Sequence, residues 1–467
     1  MLDVSEKNLF AYLFIQLIKK ILLLSGRFNR YFPPKLKNIS MKKTYLLALA
    51  LGLSVSAFAQ RTLIHCGTLI DGVSNTPKSQ MTIVVEKNRI TDVQSGYTAA
   101  QANDKVVDLK NRTVTPGWID MHVHIESETS KDQYLKRMSQ NMADIAFEAQ
   151  KHANTTLMAG FTSVRDLGGS GVNISLRNAI TKGLTVGPRI FTSGKTIATT
   201  GGHGDPTNGI NSSKYTVPDD VTDGVVNSPE EGRQAVRQRY KDGADCIKIT
   251  ATGGVLSVAK NGKGPQFTEN EIEAIVSTAK DYGFIVAAHA HGAEGMKRAI
   301  RAGVTTIEHG TFMDDEAIEL FKKHGTYYVP TIIAGKTVGD SVKVPGYYHP
   351  LVVPKAIETS KQIAATFAKA YKAGVKVAFG TDAGVFPHGY NAKEFQYMVE
   401  GGMPMMEAIK SATIVNATVL GMKEELGSIE KGKFADIVAV EGDPLQDAKA
   451  MMNVAFVMKD GKIYKQK

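Results

Sequence analysis

The chain is 467 residues long with 43% apolar and 22% charged residues, an ordinary globular composition that supports a large core and excludes dependence on disulfide staples. Its net charge of +10 is concentrated in the first 60 residues, which hold nine of the 56 Lys/Arg and two of the 46 Asp/Glu. The remainder carries 47 against 44, a net of +3, which excludes charge as an argument for a nucleic-acid partner.

Residues 1–60 do not read as part of the fold. Lys42 and Lys43 make a charged start, 44–55 is a short apolar run, and Ala57-Phe58-Ala59 is a small-residue cleavage site. This is the pattern of a bacterial export signal over 41–59, with the mature chain beginning near Gln60 or Arg61, secreted to the periplasm or the medium. The run is too short and wrongly flanked to span a membrane, so no stable membrane anchor is expected after cleavage. Residues 1–40 admit two readings: a start assigned upstream of the true initiator Met41, or a real extension with a membrane-associated helix over 9–24. Lys19 and Lys20 interrupt that stretch and favour the first.

Residues 61–114 read as short strands and turns, with strands at 62–65, 81–86, 89–93 and 105–108 and turn signals at Asp71-Gly72 and Lys87-Asn88. The segment 416–467 has the same texture: 436–440 and 454–458 are strand-like, and Lys459-Asp460-Gly461-Lys462 is a hairpin signal. Two strand-rich ends around an α/β middle predict a small composite β-sandwich domain built from both chain ends. The middle, 115–415, alternates strand and helix patterns, as parallel βα units do. Eight strands are predicted, at 115–124, 162–166, 189–193, 246–250, 285–289, 305–309, 327–332 and 375–382. Helices are predicted at 271–282, 294–302, 315–324 and 360–373. Eight such strands close a (β/α)8 TIM barrel. Cys66 and Cys246 are read as free buried thiols. No repeat or heptad marks an interface, and a homo-oligomer is left open.

Catalytic groups of such a barrel sit at the C-terminal ends of its strands. The first strand ends Asp120-Met121-His122-Val123-His124, where residues two apart share a face, so His122 and His124 can hold one ion together. Two surface histidines are the bland alternative. The fourth strand carries Lys248 within an apolar run, where a cation is costly to bury. Either it is paired or snorkels outward, or it is neutral, carboxylated by CO2 and bridging two metals. The fifth strand ends in His289-Ala290-His291, the sixth in Glu308-His309-Gly310 and the eighth in Gly380-Thr381-Asp382. Taken singly, His289 can be a satisfied core histidine and Asp382 a helix cap. Their joint placement on strand ends one, four, five, six and eight points to a shared metal site.

Further residues are candidates for substrate contact. His291 shares a face with His289 and either touches substrate or supports a neighbour. His203 lies in a Gly-rich loop after the third strand, between Gly202 and Gly204. Arg165 either pairs with a substrate carboxylate or, the favoured reading, with Asp166 or another structural partner. His388 and Tyr390 follow the eighth strand and either line the pocket or belong to a mobile lid.

The order H-x-H, Lys, His, His, Asp resembles the binuclear branch of the amidohydrolase superfamily. Thr115-Pro116-Gly117-Trp118-Ile119-Asp120, Gly380-Thr381-Asp382 and the tail Gly432-Lys433-Phe434-Ala435-Asp436-Ile437-Val438 are similar to it as well. The resemblance covers residue 61 to the end. Ser163-Val164-Arg165-Asp166-Leu167-Gly168-Gly169, Gly201-Gly202-His203-Gly204 and Thr252-Gly253-Gly254-Val255 resemble the exported Xaa-Pro dipeptidase and imidazolonepropionase-like subgroup, which includes amidases acting on ochratoxin. It implies two divalent metal ions, with zinc the best match for nitrogen and carboxylate ligands. One would be held by His122, His124, an N6-carboxylysine at Lys248 and Asp382, the other by that carbamate, His289 and His309. It implies hydrolysis of the C–N amide bond of dipeptides or N-acyl amino acids. A water acidified between two cations attacks, and Asp382 takes its proton and passes it to the leaving amine.

Two other functions compete. A cyclic-amide hydrolase of the imidazolonepropionase kind, or a deaminase, works with one metal and lacks the bridging lysine. Lys248 and the export signal both argue against it. A non-catalytic binding protein on the same barrel would have lost metal ligands, and here all six are present. No Gly-x-Ser-x-Gly stretch offers a serine nucleophile.

Overall fold

The computed structural model describes residues 60–211 and 220–467. The extension and export signal read over 1–59 lie outside the described residues. Strands β1 (Arg61–Leu69), β2 (Lys78–Glu86), β3 (Arg89–Ser95) and β4 (Lys105–Pro116) form where the sequence alternates apolar and polar residues, as Val107 and Leu109 do against exposed Val106 and Asp108. Twelve residues long, β4 runs straight into the barrel-like part through Gly117, where a Cβ would come within 2.1 Å of Thr162 Oγ1.

β5 (Trp118–Val123), β6 (Phe161–Asp166) and β7 (Arg189–Thr192) make one parallel three-stranded sheet. β8 (Ile247–Thr250), β9 (Val286–Gly292), β10 (Thr306–Phe312) and β11 (Tyr327–Val329) make a second, four-stranded and parallel. Every residue of β5, β6, β8 and β9 is buried, as expected for parallel strands covered on both faces. On one side the sheets meet where Ile197 pairs in parallel with Ile249 and its N–H donates to Lys248 O at 2.8 Å. On the other, the segment 375–383 runs between them, bridging Val377 to Tyr328 and Ala383 to Val123.

That segment is the expected eighth strand, and it differs from the expectation. It forms isolated bridges instead of a ladder, with main-chain bonds to both neighbouring strands, such as Met121 N to Phe379 O at 3.0 Å and Ala378 N to Tyr328 O at 2.9 Å, and with side chains bonded among them. Asn416 Nδ2 donates to Phe379 O at 2.8 Å and to Ile119 O at 2.7 Å. Asp120 accepts from Thr381 N at 3.0 Å and Thr381 Oγ1 at 2.6 Å. The seventh strand also stops short, at Val329 instead of 332, because Pro330 has no N–H to donate and Thr331 turns left-handed at φ 49°. The predicted helices appear at Glu269–Asp281, Ala293–Arg301, Asp315–His324 and Val353–Lys372. The last begins earlier than expected because Pro354, with its fixed φ, suits a first turn. Helix Met142–Met158 was not expected, although Asn141 and Asp144 complete a capping box at its start.

The chain then returns to its beginning. β12 (Ile437–Val440), β13 (Val454–Lys459) and β14 (Lys462–Gln466) join β1–β4 in one sheet of order β14-β13-β12-β4-β1-β2-β3. β4 is the joint, parallel to β1 at Ile64↔Val107 and antiparallel to β12 at Val438↔Thr115. Ile64, Cys66, Ile83, Val107, Phe456 and Met458 bury one face of it, so the composite β-domain read from both chain ends takes the form of a single seven-stranded sheet over a shared apolar cluster. A larger cluster fills the βα part. There Trp118, fully buried, meets Phe161 and Phe395 edge-on, each at 5.4 Å. Cys66 and Cys246 are free and buried, and burial pushes both thiols up to about 12. No helix among the described residues is long and apolar enough to cross a membrane.

The hairpin between β13 and β14 has both central residues left-handed, Asp460 at φ 49° and Gly461 at φ 72°, as a two-residue turn requires. A Cβ on Gly461 would lie 1.9 Å from Lys87 O. Gly461→Ala is therefore expected to lower stability by about 1–3 kcal/mol, read as a drop in urea midpoint at unchanged slope. An unchanged midpoint would mean the hairpin is not tied to the β2–β3 turn.

Candidate active site

Six side chains singled out in the sequence converge at the C-terminal ends of these strands. His122 and His124 come from β5 and its end, Lys248 from β8, His289 from β9, His309 from β10 and Asp382 from the segment after β11. Asp382 Oδ1 lies 3.4 Å from both His122 Nε2 and His124 Nε2. Two sets of donor atoms fall within 4.8 Å of one another: those of His122, His309 and Asp382, and those of His289, His291 and His309. His291 thus stands among the donors, closer to the centre than the substrate-contact reading required.

Each ring is oriented through one nitrogen, which leaves the other free. His122 Nδ1 bonds Glu308 Oε2 at 2.9 Å, His124 Nδ1 bonds Gly168 O at 2.9 Å, and His289 Nε2 bonds Gly253 O at 3.2 Å. His309 Nδ1 meets Thr331 Oγ1 and His291 Nδ1 meets Thr311 Oγ1, both at 2.8 Å. For His122, His124 and His289 the partner can only accept, which fixes the tautomer that offers a lone pair on the other nitrogen, the arrangement of metal-binding imidazoles. Burial reinforces it. It holds His122, His289 and His309 well below the ordinary histidine value, and His124 at about 4, so the rings are neutral.

Lys248 is buried, and burial lowers its pKa even though Glu308 and Asp382 pull the other way. That direction favours the free amine, the form that adds CO2. Asp382 is raised by its own burial and drawn back by Lys248. Nitrogen and oxygen donors converging with a buried amine form a set that suits divalent cations such as zinc.

Support for these residues comes from side chains that the sequence did not single out. Glu308, with no exposed surface, accepts from His122 and from Arg165 NH2 at 2.8 Å, and from the Thr306 hydroxyl. Asp120 accepts from His122 N at 3.1 Å and from Asn391 Nδ2 at 2.8 Å, besides its two bonds to Thr381. Glu394 accepts from Ile332 N and Ile333 N at 2.8 and 2.7 Å, fixing the turn at Thr331. His309, Thr331 and Asp382 all have left-handed backbone, φ 71°, 49° and 63°, a conformation that non-glycine residues adopt at a cost. Glu308 directly precedes His309, and Asp120 begins the H-x-H stretch, but spacing alone gave neither a role.

A cavity of about 520 Å³ lies over the cluster. His203 and His291 line it. His203 also packs over His289, ring centroids 4.3 Å apart. Three other candidates do not line it. Arg165 is wholly buried and bonded to Met121 O, Thr306 Oγ1 and Glu308, so its favoured structural role stands and contact with substrate does not. His388 turns away to stack on His152 at 4.7 Å and bonds Thr156 and Ser127. Tyr390 is 55% exposed and outside the lining. Its lining includes apolar residues, Val255, Leu256, Ala334, Val338 and Ile363, and charged ones, Glu126, Glu128, Lys136, Arg137 and Glu148.

The chain has relatives among known proteins. Residues 113–464 match the model of the amidohydrolase family. The chain is 31% identical over 442 residues to ochratoxinase from Aspergillus niger, covering 87% of each. It is 24% identical over 388 residues to imidazolonepropionase from Fusobacterium nucleatum, covering 77% of this chain and 84% of that protein. Among solved structures it is similar to a Xaa-Pro dipeptidase with methionine bound in its active site, at 55% identity and TM-score 0.84, over 87% of this chain and all of that one.

Arg165 and Glu308 form an ion pair with no exposed side-chain surface on either side. Removing the cation strands a buried carboxylate, so Arg165→Met is expected to cost about 3–5 kcal/mol in urea unfolding. A loss under about 1 kcal/mol would show that His122 and Thr306 alone sustain Glu308.

Proposed function

Because the chain belongs to the amidohydrolase family and is an amide-bond hydrolase, we propose that it cleaves dipeptides or N-acyl amino acids at a two-metal centre. The observation that carries this reading is the convergence of His122, His124, Lys248, His289, His309 and Asp382 under one cavity, every imidazole anchored through its second nitrogen. In this reading one cation is held by His122, His124, a carboxylated Lys248 and Asp382, and the other by that carbamate, His289 and His309. His291 is an alternative donor to the second. When bound, such ions, with zinc the best fit, supply Lewis acidity and water acidified toward neutral pH.

The chain's own residues do the rest. Asp382 takes the proton of the attacking water and returns it to the leaving nitrogen. Its position 3.4 Å from two imidazoles suits a carboxylate that must both stay near the reacting centre and release a proton. Glu308 and Thr331 keep the rings aimed while charge develops. The apolar residues of the lining, Val255, Leu256 and Val338, take a hydrophobic side chain and exclude water from it.

The same reading extends to the architecture and the compartment. In it the parallel strands of 115–415 belong to a (β/α)8 barrel, a reading supported by the bridges at Ile197–Ile249 and at Val377 and Ala383, and 61–114 with 416–467 make the composite β-domain. The export signal over 41–59 directs it to the periplasm or the medium, where dipeptides are scavenged.

The test is metal content. Residues 61–467, expressed with bicarbonate, are expected to hold about two divalent ions per chain by elemental analysis. The count falls in Lys248→Ala, together with at least about a hundred-fold of the hydrolysis of Xaa-Pro or hydrophobic dipeptides. About one ion, unchanged by the substitution, would sink the bridged centre and bring cyclic amides forward.

A further inference from the structure

Strand β8 leads into a hairpin-shaped loop over residues 251–266. Gln266 N donates to Ala251 O at 2.9 Å, Gly253 N donates to Gly264 O at 3.0 Å, and Thr252 bridges Pro265 in antiparallel sense, so the stem of the loop is paired. Two features of the site are carried on it. Gly253 O accepts from His289 Nε2 at 3.2 Å, and Val255 and Leu256 line the cavity. Gly254, between them, packs against His203, where a Cβ would come within 2.3 Å of the ring. Lys355 holds this stretch from the neighbouring helix Val353–Lys372. Its Nζ donates to Gly254 O at 2.9 Å and to Ser257 O at 2.8 Å. Its stem lies against the returning arm, since a Cβ on Gly262 would meet Lys355 Cδ at 2.9 Å.

The position is a costly one for a cation. Lys355 is 8% exposed, and no carboxylate among the described residues lies within ion-pair distance of it. Burial draws its pKa down to about 8. It also stands in the first turn of its helix, which has no acidic residue there, and a positive charge at a helix N-terminus is disfavoured. What offsets these costs is the pair of main-chain carbonyls, both on the loop. Ser257 Oγ also donates to Gly254 O, at 3.2 Å, but that bond ties the loop to nothing outside itself. On the returning arm Lys263 pairs with Glu358 and lies 4.1 Å over the Phe312 ring, contacts of an exposed side chain that contribute little. We propose that Lys355 is a positioning residue for hydrolysis, latching the loop 251–266 so that Gly253 O stays on His289 and Val255 and Leu256 stay in the cavity wall. This rests on the amide-hydrolase activity, and not on the number of metal ions or the substrate named above.

Lys355→Met keeps the apolar stem and removes the donors, whereas Lys355→Arg keeps donors. Amide hydrogen exchange read by mass spectrometry reports on the latch with no substrate present. In the methionine variant, exchange over 251–266 is expected to rise about ten-fold, with the rest of the chain unchanged and no fall in the urea midpoint. For an N-acyl leucine and an N-acyl alanine alike, kcat is expected to fall about ten-fold as His289 loosens, and the KM advantage of the leucine substrate to shrink as the wall does. The arginine variant recovers part of each loss. Unchanged exchange over the loop would mean that Lys355 holds nothing. A rise with kcat and KM unmoved would mean that the site does not need the latch. A rise spread over the whole chain, with a lower urea midpoint, would make Lys355 an ordinary structural residue. Each of these three outcomes overturns the proposal. If the parent hydrolyses neither substrate, the substrate reading above is wrong, and the exchange measurement alone decides the latch.

Discussion

Glu308 is an ionisable side chain with no exposed surface, and it sits directly beneath the histidine cluster. A carboxylate in such a place is tolerable only when its lone pairs are taken, and three groups take them: Arg165, His122 and Thr306. The arrangement settles several matters together. Arg165 reaches from β6 to β10 and also donates to Met121 O on β5 at 2.6 Å, so one guanidinium ties three strands through the interior. His122 is forced to donate from Nδ1, which frees Nε2 to face Asp382. The ion pair adds little net stability of its own compared with an apolar core of the same shape. What it contributes is a fixed ring orientation at the one point where the chemistry depends on it.

Backbone strain is concentrated at the same place. His309, Thr331 and Asp382 each adopt left-handed φ, and each is held there by a neighbour. Tyr328 OH donates to His309 O at 3.0 Å, Glu394 receives the two N–H groups that follow Thr331, and Asp382 N donates to His122 O at 2.7 Å. Strain of this kind persists only where the surroundings over-determine it. Here it aims side chains that regular strand geometry would turn away. The π-helical turn Ser411–Val415 belongs to the same pattern, because it delivers Asn416 to the backbone of Ile119 and Phe379.

Much of this was legible in the sequence, for a definite reason. Parallel strands buried on both faces leave short apolar runs, and polar residues at their ends stand out against them, as His289 and His309 do. The composite β-domain was readable because Asp460-Gly461 dictates its own turn. Other features were hidden. The eighth strand is held by Asp120 and Asn416 side chains, a pairing across 37 residues or more that periodicity cannot express. Glu308 carries no local mark that separates it from a surface acid. His388 and Tyr390 were placed correctly in a loop after the last strand, but loop position does not say which way a ring turns, and His388 turns to His152. The pairing of Arg165 with Glu308 spans 143 residues and joins two sheets that the sequence does not show to be neighbours.

The electrostatics of the cavity follow from these constraints. Burial drives the imidazoles of the donor cluster and the Lys248 amine toward their neutral forms, which is the form a divalent cation needs from an imidazole. The acids of the same lining, Glu126, Glu128 and Glu148, accept from main-chain N–H groups and from Lys136. Apolar residues of the lining, Val255, Leu256 and Val338 among them, can sort side chains only by size, and size is discriminated far less steeply than a missing charge or hydrogen bond.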